Sequence, residues 1–188
     1  CELAVRQAFI SASPTLWEPG PAGIDIAVGA REVAMSTETL NEDHLTDRVI
    51  DLYVQMKDPA DPARGHVPQY QYKITLHGSE EEIGTIRLRI GEHPALLTAG
   101  HVGYFVAEGY RGRHFAERAC RLLGPVALDH GMTRIILTCD PENAASRRTC
   151  ERLGEHFAGI FEVPTDHEMY QKGARAVWRY DWVLNTES

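Results

Sequence analysis

His101-Val102-Gly103-Tyr104-Phe105-Val106-Ala107, followed after Glu108 and Gly109 by Tyr110-Arg111-Gly112-Arg113-His114-Phe115-Ala116, is a strand-like run that turns into a helix-like run reaching His130. A turn that feeds a helix start aims several unpaired backbone N–H groups at one point, and the helix dipole adds a partial positive charge there. Gly112 lets the backbone come close to a ligand, while Arg111 and Arg113 supply cation. No Gly-Lys-Ser/Thr follows, so the turn is not a P-loop, and the three glycines of a dinucleotide turn are missing. The stretch reads as a cradle for a phosphorylated ligand, best a coenzyme that carries a pyrophosphate.

On the N-terminal side, Ile50, Leu52, Val54 and Met56 alternate with Asp51, Tyr53 and Gln55, the period of a half-buried strand. Pro59, Pro62, Gly65 and Pro68 make 57–68 a loop. Tyr70 to Leu76 and Ile83 to Ile90 are strand-like and flank His77-Gly78-Ser79-Glu80-Glu81, which suits an antiparallel hairpin. A loop from Gly91 to Gly100 leads into the quoted stretch. On its C-terminal side, small or apolar residues at 116, 119, 120, 123, 126 and 127 share one helix face, and Pro125 predicts a kink or break after Leu123 or Gly124. Arg134 to Thr138 is a short buried strand. Asp140-Pro141-Glu142-Asn143 offers caps for a helix running to Leu153, with Gly154 as its stop. Phe157 to Val163 and Ala176 to Leu184 close the chain as two strands. This order is α/β with a mixed sheet; a doubly wound parallel sheet is disfavoured because the early strands lack intervening helices.

The chain has 188 residues, 43% of them hydrophobic and 24% charged, enough for one ordinary core. Residues 1–40 read as an N-terminal extension, loosened by Pro14, Pro21 and the glycines from Gly20 to Gly29, and 41–188 as one domain. The chain opens on Cys1, with Met35 heading a polar stretch. A truncated or over-extended reading frame accounts for this more simply than a lipidated cysteine does. The net charge of -8 gives no chain-wide positive field for nucleic acid or an anionic membrane and tolerates amine-bearing partners better. Cys1, Cys120, Cys139 and Cys150 fall into no paired metal spacing, so no metal is expected, and reduced thiols in a cytoplasm are the default.

With these elements in order, the chain resembles the GNAT acyltransferases, which move an acetyl group from acetyl-CoA to an amine. The resemblance runs from about Ile50 to Leu184. The family's coenzyme motif, Arg/Gln-x-x-Gly-x-Gly/Ala, stands here as Arg111-Gly112-Arg113-His114-Phe115-Ala116, with His114 in place of the usual first glycine. A second block, Asn143-Ala144-Ala145-Ser146 through Cys150-Glu151-Arg152-Leu153-Gly154, is similar to the helix after the family's fifth strand, especially in the branch that acts on protein N-termini. Tyr-Arg-Gly-x-His-x-Ala with Thr138-Cys139-x-Pro141-x-Asn143 also resembles a bacterial subgroup of uncertain substrate, near the ribosomal-protein N-acetyltransferase branch, in which His114 is ordinary.

The resemblance implies a mostly antiparallel sheet of six or seven strands whose central parallel pair splays apart, with flanking helices. Pantetheine would lie in that gap, pairing with the backbone of Tyr104, Phe105 and Val106, and the pyrophosphate would sit on the N–H groups from Arg111 to Ala116, with Asn143 alongside. A backbone N–H near Phe105 would polarise the thioester carbonyl. The acceptor amine would attack directly, a base taking its proton and an acid capping the CoA thiolate.

Many members of the family have a tyrosine where this chain has Cys150. Asn143, Ser146 and Cys150, at i, i+3 and i+7, share a helix face, so Ser146 or Cys150 is the candidate acid, against helix capping or coenzyme contact for Ser146. His101 and His93 are candidate bases acting through a water, against the plainer reading of surface histidines; Glu92 and Glu108 are weaker candidates. Cys120 falls on the apolar helix face as packing. Trp178, Tyr180 and Trp182 put three rings on one sheet face, for core packing, a homodimer contact or an acceptor wall. Tyr170 is a candidate to close over the acceptor, against plain packing of a loop tyrosine. Two alternatives stand beside catalysis with acetyl-CoA: a degenerate acyl-CoA-binding or regulatory module, and a transferase using a longer acyl-CoA.

Overall fold

A computed structural model describes residues 40–153 and 156–184. The extension expected over 1–40, apart from Leu40, and the expected helix stop at Gly154 lie outside the described residues. The seven strands read from the sequence are present, and a three-residue eighth, β1 (His44–Thr46), precedes them. β1, β2 (Ile50–Asp58), β3 (Gln69–Leu76), β4 (Glu82–Arg89) and β5 (Val102–Val106) form a five-stranded sheet in that order, each pair antiparallel. β6 (Arg134–Cys139), β7 (His156–Glu162) and β8 (Ala176–Val183) form a second antiparallel sheet in the order β6-β8-β7.

Of the apolar set expected to be buried along β2, Ile50 and Leu52 are buried and the far end is not. A register shift between Val54 and Met56 inserts an extra residue, so Met56 turns out to solvent at 51% exposure. Asp51, expected on the wet face, is buried because it accepts hydrogen bonds from the Gly78 amide at 3.2 Å and meets the His77 ring at 3.0 Å.

The two sheets are hydrogen-bonded to each other at His101. His101 donates its backbone N–H to the Ile136 carbonyl at 2.8 Å, and its Nδ1 accepts from the Ile136 N–H at 2.8 Å. That assignment puts the ring proton on Nε2, which donates to the Gly91 carbonyl at 3.1 Å. Gly100, just before it, has φ +70, and a Cβ there would lie 2.9 Å from the Thr138 hydroxyl, so only glycine lets the strands come this close. β5 and β6 belong to different sheets beyond this junction.

α2 (Phe115–Asp129) packs on the first sheet through Phe115, Ala119, Cys120, Leu123, Val126 and Ala127, the expected face but for Phe115 in place of Ala116. Of the kink or break expected at Pro125, the break is absent, and the helix runs on to Asp129. The fully buried Leu123 and Val126 each contribute about 1.5–3 kcal/mol, enough to offset the roughly 3 kcal/mol that an interior proline costs. Gly124 lets the helix approach β8: a Cβ there would meet the Trp182 ring at 3.3 Å. α3 (Ala144–Leu153) covers the same side of the core with Cys150 and Leu153. Two four-residue helices, α1 (Leu96–Ala99) and α4 (Glu168–Gln171), occupy segments expected as loops; they are too short to leave a periodic signal.

Candidate active site

The turn between β5 and α2 has the curvature an anion cradle needs. Gly112 and His114 both have positive φ, +77 and +62, while Arg113 between them does not, an alternation that gathers successive N–H groups into a concave nest. His114 is therefore the N-terminal flank of α2 in a left-handed conformation, and the backbone there explains why glycine suits the position. Ahead of the turn, the Arg111 Nε donates to the Val106 carbonyl at 3.0 Å, tying the turn back to the strand. Arg113, expected to contact the ligand, does not line the cavity in front of the nest: its guanidinium lies 5.0 Å over the Phe115 ring.

That cavity, of about 580 Å³, is bounded by Tyr104, Phe105 and Val106 of β5, by the turn, and by α3. β5 is the edge of its sheet on this side. Arg89 donates its N–H to the His101 carbonyl and Ala107 donates its N–H to the Ile83 carbonyl, both at 2.8 Å, so the odd-numbered positions of β5 hydrogen-bond towards β4. The even-numbered N–H groups, those of Tyr104 and Val106, face the open edge. The N–H expected near Phe105 is thus its neighbours', and Phe105 itself presents an exposed ring. Gly84 of β4 fixes the position of this edge, since a Cβ there would fall 2.3 Å from the Phe105 carbonyl oxygen.

α3 forms the opposite wall. The Asn143 side chain caps it by accepting from the Ser146 N–H at 3.0 Å, so Asn143 holds the helix start as well as lining the cavity. The Ser146 hydroxyl is 3.0 Å from the Tyr104 hydroxyl. Burial pushes the Tyr104 phenol up to about 12, and hydrogen bonds with Ser146 and Thr149 offset only part of this, so the phenol stays protonated.

Cys150 is a correction. It is 2% exposed, does not line the cavity, and shares a hydrogen bond with the buried Cys139, which together with burial raises its pKa and holds it as a thiol. Of the expected trio Asn143 and Ser146 do line the cavity, and on α3 Ala145, Arg148, Thr149 and Arg152 complete the lining in place of Cys150. The signal was available: Cys150 and Leu153 are the largest apolar residues of this helix, and an apolar pair three apart marks the core side.

His101 is a second correction. It is fully buried with both ring nitrogens bonded, and burial, with Arg134 and Arg89 nearby, lowers its pKa; it joins two sheets and does not reach the cavity. His93 accepts from the Ala95 N–H at 3.2 Å, setting up α1. Glu92, Glu108 and Tyr170 do not line the cavity either. Cys120 is core, its thiol pushed up to about 12 by burial. Tyr180 is buried in the core, with Trp178 and Trp182 packed against it, so the aromatic face is an inner one.

Residues 27–156 match the family model described as acetyltransferase (GNAT) domain. No curated protein matches the chain by sequence. Among solved structures, a probable acetyltransferase of the GNAT family from Chromobacterium violaceum ATCC 12472 aligns over 91% of this chain and 97% of its own, at 16% identity and a TM-score of 0.54. A ribosomal L7/L12 alpha-N-protein acetyltransferase, RimL, in its apo form aligns over 75% and 94%, at 15% identity and a TM-score of 0.53. The microcin C7 self-immunity acetyltransferase, solved with acetyl-CoA and AMP, aligns over 62% of this chain at 20% identity and a TM-score of 0.49, and this chain spans 61% of that one. At these identities the likenesses bear on the fold alone.

Proposed function

Because a family model covers more than half of it, the chain belongs to the GNAT acetyltransferase family, and on that premise we propose that it is an acetyl-CoA-dependent N-acetyltransferase acting on a primary amine of a small molecule or protein. The observation that supports this most is the juxtaposition of an open β5 edge with the nest at Gly112 and His114 across one cavity. Pantetheine pairs with the outward backbone groups of Tyr104 and Val106, and the pyrophosphate rests on the N–H groups at the head of α2.

The acceptor amine, deprotonated, attacks the thioester carbonyl carbon. The carbonyl π electrons move to oxygen, where an outward N–H of β5 stabilises the developing charge. Collapse of this intermediate re-forms the carbonyl and breaks the carbon–sulfur bond, the sulfur leaving with the electron pair. The Ser146 hydroxyl, oriented by Tyr104, hydrogen-bonds the departing thiolate, and the nitrogen sheds its extra proton to water. The acetylated amine and free CoA are the products.

The burial of Cys150 where many relatives have tyrosine favours, as a second reading, a module that binds acyl-CoA without turning it over. One experiment separates the two: the full chain is incubated with acetyl-CoA and a library of metabolite and peptide amines, and products are read by mass spectrometry. A gain of one acetyl group with release of CoA is the expected result, and Arg111→Ala raises the acetyl-CoA KM. Acetyl-CoA binding without any acetylated product supports the second reading. A competition series of acyl-CoAs in thermal shift reports whether a longer chain is preferred.

A further inference from the structure

A second cavity of about 630 Å³ adjoins the first and shares His114 and Arg152 with it. Its wall is the outer face of α2, closed by the end of α3 and by the turn after β1. Three guanidinium groups line it, against two carboxylates. Arg118 Nη1 pairs with Asp47 at 2.6 Å, which uses one of the carboxylates fully. The other, Glu117, is shared: Arg121 Nη2 lies 3.2 Å from one of its oxygens and Arg152 Nη1 3.6 Å from the other. One positive charge is left over. Arg152 also donates to the His114 Nδ1, and Arg121 Nη2 to the Arg152 carbonyl, so the cluster is braced at the seam between the two cavities. Among the described residues Arg121 makes these contacts through Nη2, leaving Nη1 and Nε for a ligand.

This surplus sits on a chain of net charge -8, whose far field repels free anions. An anion that arrives tethered to something already bound next door escapes that repulsion. Arg121 stands five residues beyond Ala116, about 7.5 Å along the helix axis from the nest. A coenzyme A molecule whose pyrophosphate occupies the nest carries a third phosphate across the ribose, doubly charged and hydrogen-bond accepting. We propose that Arg121, with Arg152, binds the 3′-phosphate of the coenzyme and makes this protein discriminate CoA from its 3′-dephospho form. The inference rests on the coenzyme reading given above. Glu117 is then a positioning residue, holding both guanidinium groups apart at the seam.

The test is binding of CoA and of 3′-dephospho-CoA to the full chain by titration calorimetry, which needs no acceptor. Loss of a charge-assisted contact predicts a Kd for dephospho-CoA weaker on the order of tenfold. Arg121→Gln weakens CoA by a similar factor, leaves dephospho-CoA unchanged and brings the ratio towards one, whereas Arg121→Lys restores part of it. Melting curves confirm that the variants fold. Equal Kd values for the two ligands, or a ratio that Arg121→Gln does not move, overturns the proposal while leaving the coenzyme site standing. If neither ligand binds, the coenzyme reading itself fails and takes the proposal with it.

Discussion

Tyr104 serves the site twice from one strand position: its N–H faces the open edge of β5, and its hydroxyl orients Ser146. The two roles separate by mutation. Ser146→Ala removes the group proposed to meet the thiolate and is expected to lower kcat on the order of ten- to a hundredfold, whereas Tyr104→Phe keeps the backbone donor and lowers it about threefold to tenfold. Steady-state kinetics check both, with the acetyl-CoA KM expected to stay nearly constant; a Ser146→Ala enzyme with wild-type kcat would sink the assignment. His114 teaches a different lesson. Its place in the motif was read from residue type as a departure, and the backbone shows the reason to be conformational, since φ there is +62. Histidine is among the few residues that enter this region at modest cost.

At the scale of elements, spacing puts Asn143, Ser146 and Cys150 on one face of α3; the first two line the cavity, while the core claims Cys150 together with Leu153. A residue's helical phase is decided by which side can be buried, and the apolar pair Cys150 and Leu153 marks that side of α3. Pro125 was read by propensity, and packing overrode it. The placement of β5 depends on its neighbour in turn. Gly84→Ala drives a methyl group into the Phe105 carbonyl, so β5, the strand proposed to pair with the coenzyme, must shift. The expected outcome is a loss of about 1–3 kcal/mol in chemical denaturation together with a raised acetyl-CoA KM. A destabilised variant with unchanged KM would show that the edge is not where the coenzyme pairs.

For the molecule as a whole, two buried polar anchors set the response to pH. His101 is neutral in the folded state, its pKa lowered by burial and the nearby guanidinium groups. In the unfolded chain a histidine titrates near 6.5, so below about that pH the unfolded state takes up a proton that the native state refuses, and stability falls as pH falls. Burial alone would raise Asp51, but hydrogen bonds from Thr46, His77 and the Gly78 amide outweigh it and hold the carboxylate at about 2. Its contribution is full above the unfolded value near 4 and is lost as pH drops towards 2, the same direction in a lower window. Denaturation followed across pH should show both limbs, His101→Asn flattening the upper and Asp51→Asn the lower. Among the described residues no helix is long and apolar enough to cross a membrane. By itself the sequence determined the order and type of the long elements and the strand–turn–helix passage through Arg111 to Ala116, because periodicity, turn chemistry and helix starts are local properties of the chain. Only the tertiary structure decided that His101 joins two sheets, that Cys150 points inward, that Tyr104 meets Ser146 and that arginines from two helices converge beside the cradle. Those are facts about which distant residues share a volume, and burial and close packing settle them after the local pattern has been satisfied.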